Sequence, residues 1–160
     1  MESKKPKKIK YFLLLLLIPT SLLAQDKPVY DLIGKKISDV PATYGKPTYH
    51  DKSTPSMECI FYKSKTNRMV FVGNKEGIFQ AEMCTTITKE GSARKVFDRI
   101  VAKSIKEGFN ADTLKADVIN LKRPGTNMDL TLFNNTYAKQ YEINLKAKKV
   151  AYWIIDRAIP

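Results

Sequence analysis

Histidine, cysteine and tryptophan are scarce in this chain of 160 residues: one histidine, two cysteines and one tryptophan. A histidine-based metal site or a Ser-His-Asp arrangement would have to be built around His50 alone, and it sits beside Asp51 in a segment that reads as surface. The acidic residues alternate with apolar ones or line the wet side of a helix, so no carboxylate pair stands out for glycosidase-type chemistry. Gly73–Gly77 lacks the strand–loop–helix context of a phosphate cradle. The sequence therefore predicts no catalytic residue, no metal ligand and no cofactor, and the chain is expected not to be an enzyme. No apolar run reaches the length of about 20 residues that a spanning helix needs.

The longest apolar run is short and placed at the start. Five lysines precede the 13 residues Tyr11–Leu23, which end at Ala24-Gln25. Positive n-region, apolar h-region and a small residue at the cut are the layout of a secretory signal peptide. Pro19 breaks the helix near the end of the run. Residues 1–24 are thus expected to be removed on export to a periplasm or the exterior, leaving a soluble single domain over 25–160 with sub-units 29–90 and 91–160. No cysteine lies near the cut, which argues against lipid attachment there.

The whole chain carries a formal charge of +12, with 28 basic and 16 acidic residues. The leader holds five of the lysines and one glutamate, so the remainder is still clearly basic. Outside the cytoplasm a basic surface meets anionic lipid, acidic glycan or acidic protein, and nucleic acid is not an expected partner. The basic residues are scattered rather than massed, as on a solvated face.

An order of elements appears twice. Ser38 through Pro47 reads as a helix of about two turns, with Ser38 as cap, Gly45 at the left-handed C′ position and Pro47 as a stop. Three β-rich runs follow at Met57–Lys63, Arg68–Gly73 and Gly77–Thr85, with a short strand before them at Pro47–His50. In the second unit Ala93, Val96, Phe97, Ile100, Val101, Ser104 and Ile105 form an apolar helical stripe. Ser92 is its expected N-cap, and Gly108-Phe109 its expected C-terminal stop. Four β-rich runs come after it: Lys115–Lys122, Asn127–Phe133, Tyr137–Ala147 and Val150–Arg157. The turns are too short for parallel crossovers, so pairing is antiparallel. The fold class is α+β: an antiparallel meander sheet with helices on one face, built from two helix–meander repeats.

Ile33-Gly34-Lys35-Lys36-Ile37-Ser38-Asp39-Val40, followed by Tyr44-Gly45-Lys46-Pro47, resembles the Gly-x-Ser-x-x-Val … Gly-x-Pro opening of small bacterial envelope modules. These are the outer-membrane assembly lipoproteins and the β-lactamase-inhibitor-protein-like fold. The resemblance implies a duplicated helix and meander whose concave sheet binds a protein partner. Ser38 and Gly45 match its cap positions, no functional residue carries over, and the lipidation cysteine is missing.

Export alone favours a disulfide between Cys59 and Cys84. A regular meander opposes it: Cys59 falls opposite Val72, Val72 opposite Ile78 or Phe79, and Cys84 then lies about 16–20 Å further along its strand. A disulfide spans only about 4.4–6.8 Å between Cα atoms. The register therefore favours two separate apolar thiols, and a bridge would mean a different register.

The functional expectation is a monomeric, non-catalytic exported module that binds an envelope or extracellular protein through the open sheet face. Phe61, Tyr62, Tyr137, Tyr141 and Tyr152 are the expected contact residues. The alternative is an enzyme or carrier acting on an anionic small molecule or glycan, to which a closed pocket with converging polar groups would point. Attachment to anionic lipid or glycan through the basic surface is a third option.

Overall fold

The computed structural model describes residues 27–150. A 3-10 turn at Val29–Leu32 leads into helix α1 (Asp39–Tyr44) and the strands β1 (Tyr49–Thr54), β2 (Met57–Lys63), β3 (Asn67–Asn74) and β4 (Gly77–Ile87). Helix α2 (Glu90–Lys106) then precedes β5 (Asn110–Lys115), β6 (Val118–Arg123), β7 (Thr126–Asn135) and β8 (Gln140–Lys149). Each half is thus a helix followed by a four-stranded meander. The halves join edge to edge as β4 pairs with β8, giving one antiparallel sheet in the order β1-β2-β3-β4-β8-β7-β6-β5.

Strand alternation sorts the side chains onto two faces. Ile60, Phe71, Ala81, Leu145, Leu130 and Leu121 point to one face and are fully buried or nearly so. Against them pack Val29, Tyr30 and Leu32 from the 3-10 turn, Val40 from α1, and Ala93 and Phe97 from α2. The helices cover this face alone. Tyr44, Tyr62 and Phe71 form an aromatic group under α1, with ring centroids 5.4–6.3 Å apart.

Helix α2 exists because its apolar residues recur at three and four, and it ends where the sequence says it should. Gly108 takes φ +87°, and the Phe109 amide donates to the Ser104 carbonyl at 3.0 Å, which closes a Schellman-type turn over a buried Phe109. Two expectations at its ends are corrected. The helix begins at Glu90 after Lys89, one turn before the expected Ser92 cap. Ile105 is half exposed, because the stripe turns away from the sheet in the last turn. Ser38 occupies the N-cap position of α1 but makes no capping bond through its side chain. Gly45 closes that helix with φ +79°.

Gly77 fixes the first unit. At φ +111° it passes under the Gly34–Lys35 backbone, where a Cβ would lie 2.8 Å from both carbonyl oxygens. The Gly34 amide donates to Ile78 at 2.7 Å and the Ile78 amide donates to Lys35 at 2.8 Å, so the N-terminal turn is laced to the start of β4.

The second meander departs from expectation at its first strand. The run read as Lys115–Lys122 is strand β6, and before it, across a turn at Ala116-Asp117, stands the unexpected strand β5. Every residue of β5 is exposed, so no apolar alternation marked it. Of the run Val150–Arg157, only Val150 lies within the described residues, its amide donating to Gly125. The expected leader, residues 1–24, also lies outside them.

Cys59 and Cys84 are both free thiols, partly buried. Cys59 faces Val72 as the regular meander requires, but Val72 faces Gln80 because a bulge separates Val72 from Gly73. Cys84 therefore sits four residues beyond the Gln80 pair and on another strand, out of bonding range.

Candidate functional site

Two surfaces have the composition of a binding site. The first is the sheet face that no helix among the described residues covers. Pairing registers run side chains across it in rows. One row reads Tyr49, Phe61, Val70, Glu82, Lys146, Asp129, Asn120 and Asp112 from β1 to β5. The adjacent row reads Asp51, Cys59, Val72, Gln80, Lys148, Asn127, Lys122 and Asn110. Both rows turn polar at β4 and stay polar to the far edge.

Most of the polar half bonds to itself, although Asn120 Oδ1 and Asn127 Oδ1 are buried without a hydrogen-bond partner. Lys146 Nζ lies 2.6 Å from Glu82 Oε1, Gln80 donates to the same oxygen at 2.8 Å, and Asn120 donates to Asp129 at 2.6 Å. Asn135 and Gln140 both donate to Glu142, and these bonds hold its carboxyl below the usual carboxylate range. The apolar half leaves Tyr49, Phe61, Val70, Val72 and Cys59 side by side, with Tyr49 62% exposed and the other four partly so. Burial pushes the Cys59 thiol up, with Asp51 and Glu82 adding to the shift. In the next row Arg68 donates to Cys84 Sγ at 3.3 Å. Val118 and Phe133 are the apolar residues of the same face in the second half, and Thr131 or Glu142 stands opposite each.

The second surface is a groove on the helix side, between the 3-10 turn with α1 and helix α2. It encloses about 690 Å³. Tyr62, Met69, Met83 and Leu145 form its floor, while Tyr30, Tyr44, Val96 and Ile100 form its walls. Lys27, Lys46, Lys63 and Lys103 stand around it, and no aspartate or glutamate lines it. Its three tyrosine hydroxyls are already committed. Tyr30 donates to Glu107 at 2.6 Å, Tyr44 to the Lys27 carbonyl at 2.7 Å and Tyr62 to the Gly45 carbonyl at 2.8 Å. Burial pushes the pKa of all three upward and so disfavours the phenolate, most for Tyr30 and Tyr44.

The residues expected to form one aromatic contact surface do not come together. Phe61 alone is on the open face. Tyr62 points the other way, buried under α1, because neighbouring strand residues take opposite faces. Tyr141 shares the helix-side face and reaches Glu90 at the start of α2. Tyr137 is fully exposed in the β7–β8 turn. Tyr152 lies outside the described residues. The apolar neighbours that do surround Phe61, namely Tyr49, Val70, Val72 and Cys59, were missed. The period-2 pattern of β2 and β3 held that signal, but it needed the register to bring the strands into line.

His50 bonds Glu58 at 2.8 Å, with Lys52 3.7 Å from the same carboxylate oxygen. This is a partly exposed ion cluster on the edge strand. Among the described residues no three histidine, cysteine or acidic side chains stand in position to hold a metal ion. No helix among them is long and apolar enough to cross a membrane.

No protein-family model matches the chain, and no curated protein matches it. Two solved structures share part of its shape. One is a cysteine-rich secretory protein from Staphylococcus aureus subsp. aureus Mu50, with 8% identity, a TM-score of 0.45, and coverage of 78% of this chain and 47% of that one. The other is an extracellular protein containing a SCP domain from Bacillus anthracis str. Ames, with 11% identity, a TM-score of 0.47, and coverage of 92% and 50%. The chain spans about half the length of each. Their names describe those two proteins as secretory and extracellular. Neither is an outer-membrane assembly lipoprotein or a β-lactamase-inhibitor-like module, so that resemblance is set aside. The Gly34 and Gly45 pattern that carried it reports turn chemistry, since both glycines take positive φ in the loops flanking α1.

Proposed function

We propose that this chain is an exported, non-catalytic binding module that holds a protein partner on the apolar half of its open sheet face. The observation that carries the reading is the five-residue group Tyr49, Phe61, Val70, Val72 and Cys59 on a face that no helix among the described residues covers. A folded monomer gains nothing from leaving adjacent apolar side chains wet, and contiguous patches of this kind mark contact surfaces. The polar half beside it, already hydrogen-bonded to itself, supplies a rim that excludes the wrong partner more than it adds affinity.

The test is capture from the native envelope or culture fluid by chemical cross-linking, comparing the natural chain with Phe61→Glu. Phe61 is on the wet face, so the variant is expected to fold. A partner held by the natural chain and lost in Phe61→Glu supports the reading. Equal capture by both, or a turnover activity abolished by His50→Ala, overturns it.

A further inference from the structure

We infer that the lysine-ringed groove on the helix side is a second binding site, for a single-chain amphiphile with a phosphate headgroup. The inference is independent of the open-face reading, since the two surfaces lie on opposite sides of the sheet. Its volume of about 690 Å³ falls in the range of about 300–1,000 Å³ typical of small-molecule sites. Met69, Met83, Val96 and Ile100 line it while remaining partly exposed, and methionine adapts its shape to an irregular apolar guest.

The apolar floor and tyrosine walls of the groove give way to Thr48, Ser64, Asn67 and Thr85 in the rest of its lining. Its tyrosine hydroxyls are spent on Glu107, the Lys27 carbonyl and the Gly45 carbonyl, which leaves ring faces toward the space. A ligand that matches this lining is apolar where it meets Met69, Met83, Val96, Ile100 and Leu145, and charged where it meets the lysines. The rim fixes the sign and the amount of that charge. Lys27, Lys46, Lys63 and Lys103 come from four separate places in the sequence and line the groove without a lining carboxylate, although Lys103 also lies 3.9 Å from Glu107. One carboxylate would be matched by a single ammonium. A phosphate monoester, with about −1.5 to −2 charge at neutral pH, makes use of several. Lysine binds it as a point charge, without the fixed fork geometry of arginine.

Calorimetric titration of the full chain with 1-oleoyl lysophosphatidate below its micelle concentration tests this, alongside 1-oleoylglycerol, oleate and inorganic phosphate. The lysophosphatidate is expected to bind one per chain, about tenfold or more tighter than either the neutral glyceride or oleate, and to weaken as salt is raised. Lys46→Glu combined with Lys63→Glu should weaken it about tenfold or more. Lys148→Glu with Lys149→Glu, a pair away from the groove, should leave it nearly unchanged, as should Phe61→Glu. Equal affinity for the glyceride, tighter binding of oleate, or the same loss from both lysine pairs would overturn the inference. Melting curves of the variants separate lost binding from lost folding.

Discussion

The two helix–meander units use one plan and spend it differently. The second unit carries the 17-residue helix α2, and the open face of its strands is largely polar and bonded to itself. The first unit has only a six-residue helix and a 3-10 turn, and its central strands β2 and β3 carry apolar residues on both faces. A meander under a long helix needs one apolar face, as β7 and β8 show with buried and wetter residues in turn. Apolar residues on the second face of β2 and β3 add little to a sheet already anchored by Tyr44, Tyr62 and Phe71. That surplus is why the proposed partner surface is placed on the first unit.

The comparison would break if the units behaved as separate folding bodies. Eight residue pairs join β4 to β8, so unfolding is expected to be a single transition. Phe97→Ala in the second unit and Phe71→Ala in the first remove fully buried rings and should each cost about 3–5 kcal/mol. Urea melts followed by circular dichroism should show that one transition moving in both variants. Two separable transitions, with each variant moving only its own, would show the units to be independent.

A smaller effect sharpens the same point on the helix side. Tyr30 belongs to the first unit, yet its hydroxyl donates to Glu107 just after α2, and Arg123 of β6 lies over its ring and over Phe109. Burial and the Glu107 carboxylate raise its pKa above the ordinary value of 10.0. The fold therefore favours the neutral phenol. That stability is complete below about pH 10 and is lost as pH rises beyond it. Tyr30→Phe should cost about 1–2 kcal/mol at neutral pH. It should also flatten the loss of stability above pH 10, although Tyr44, shifted the same way, keeps part of that slope. Thermal melts of both proteins from pH 8 to pH 11 check this. Parallel curves would mean that the Tyr30 proton does not matter to the fold.

Local chemistry made much of this architecture legible. The span Met57–Lys63 was read as a strand and is one, and the Cys59–Val72 pairing followed from the hairpin turn alone. Gly45 and Gly108 closed their helices because only a residue tolerant of positive φ does so cheaply. What escaped was non-local. The bulge that moves the partner of Val72 to Gln80 arises where Gly73 and Gly77 meet Ile37 and Gly34, a contact that no window of sequence contains. Strand β5 carries no burial pattern because only one neighbour pairs with it. The candidate sites were the least legible. Phe61 was found, but its neighbours Tyr49, Val70 and Val72 come from other strands, and the four lysines of the groove come from four places in the sequence.

The most direct test of the central assignment is site-by-site photo-cross-linking on the open face. A photoreactive side chain is placed in turn at Phe61 and Val70 in the first unit, and at Asn144 and Thr131 in the second, and the labelled chains are irradiated in the native extracellular fraction. The expected result is one protein adduct of constant mass from positions 61 and 70, and none from 131 and 144. Adducts of equal yield from all four positions, or from the second unit alone, would contradict it.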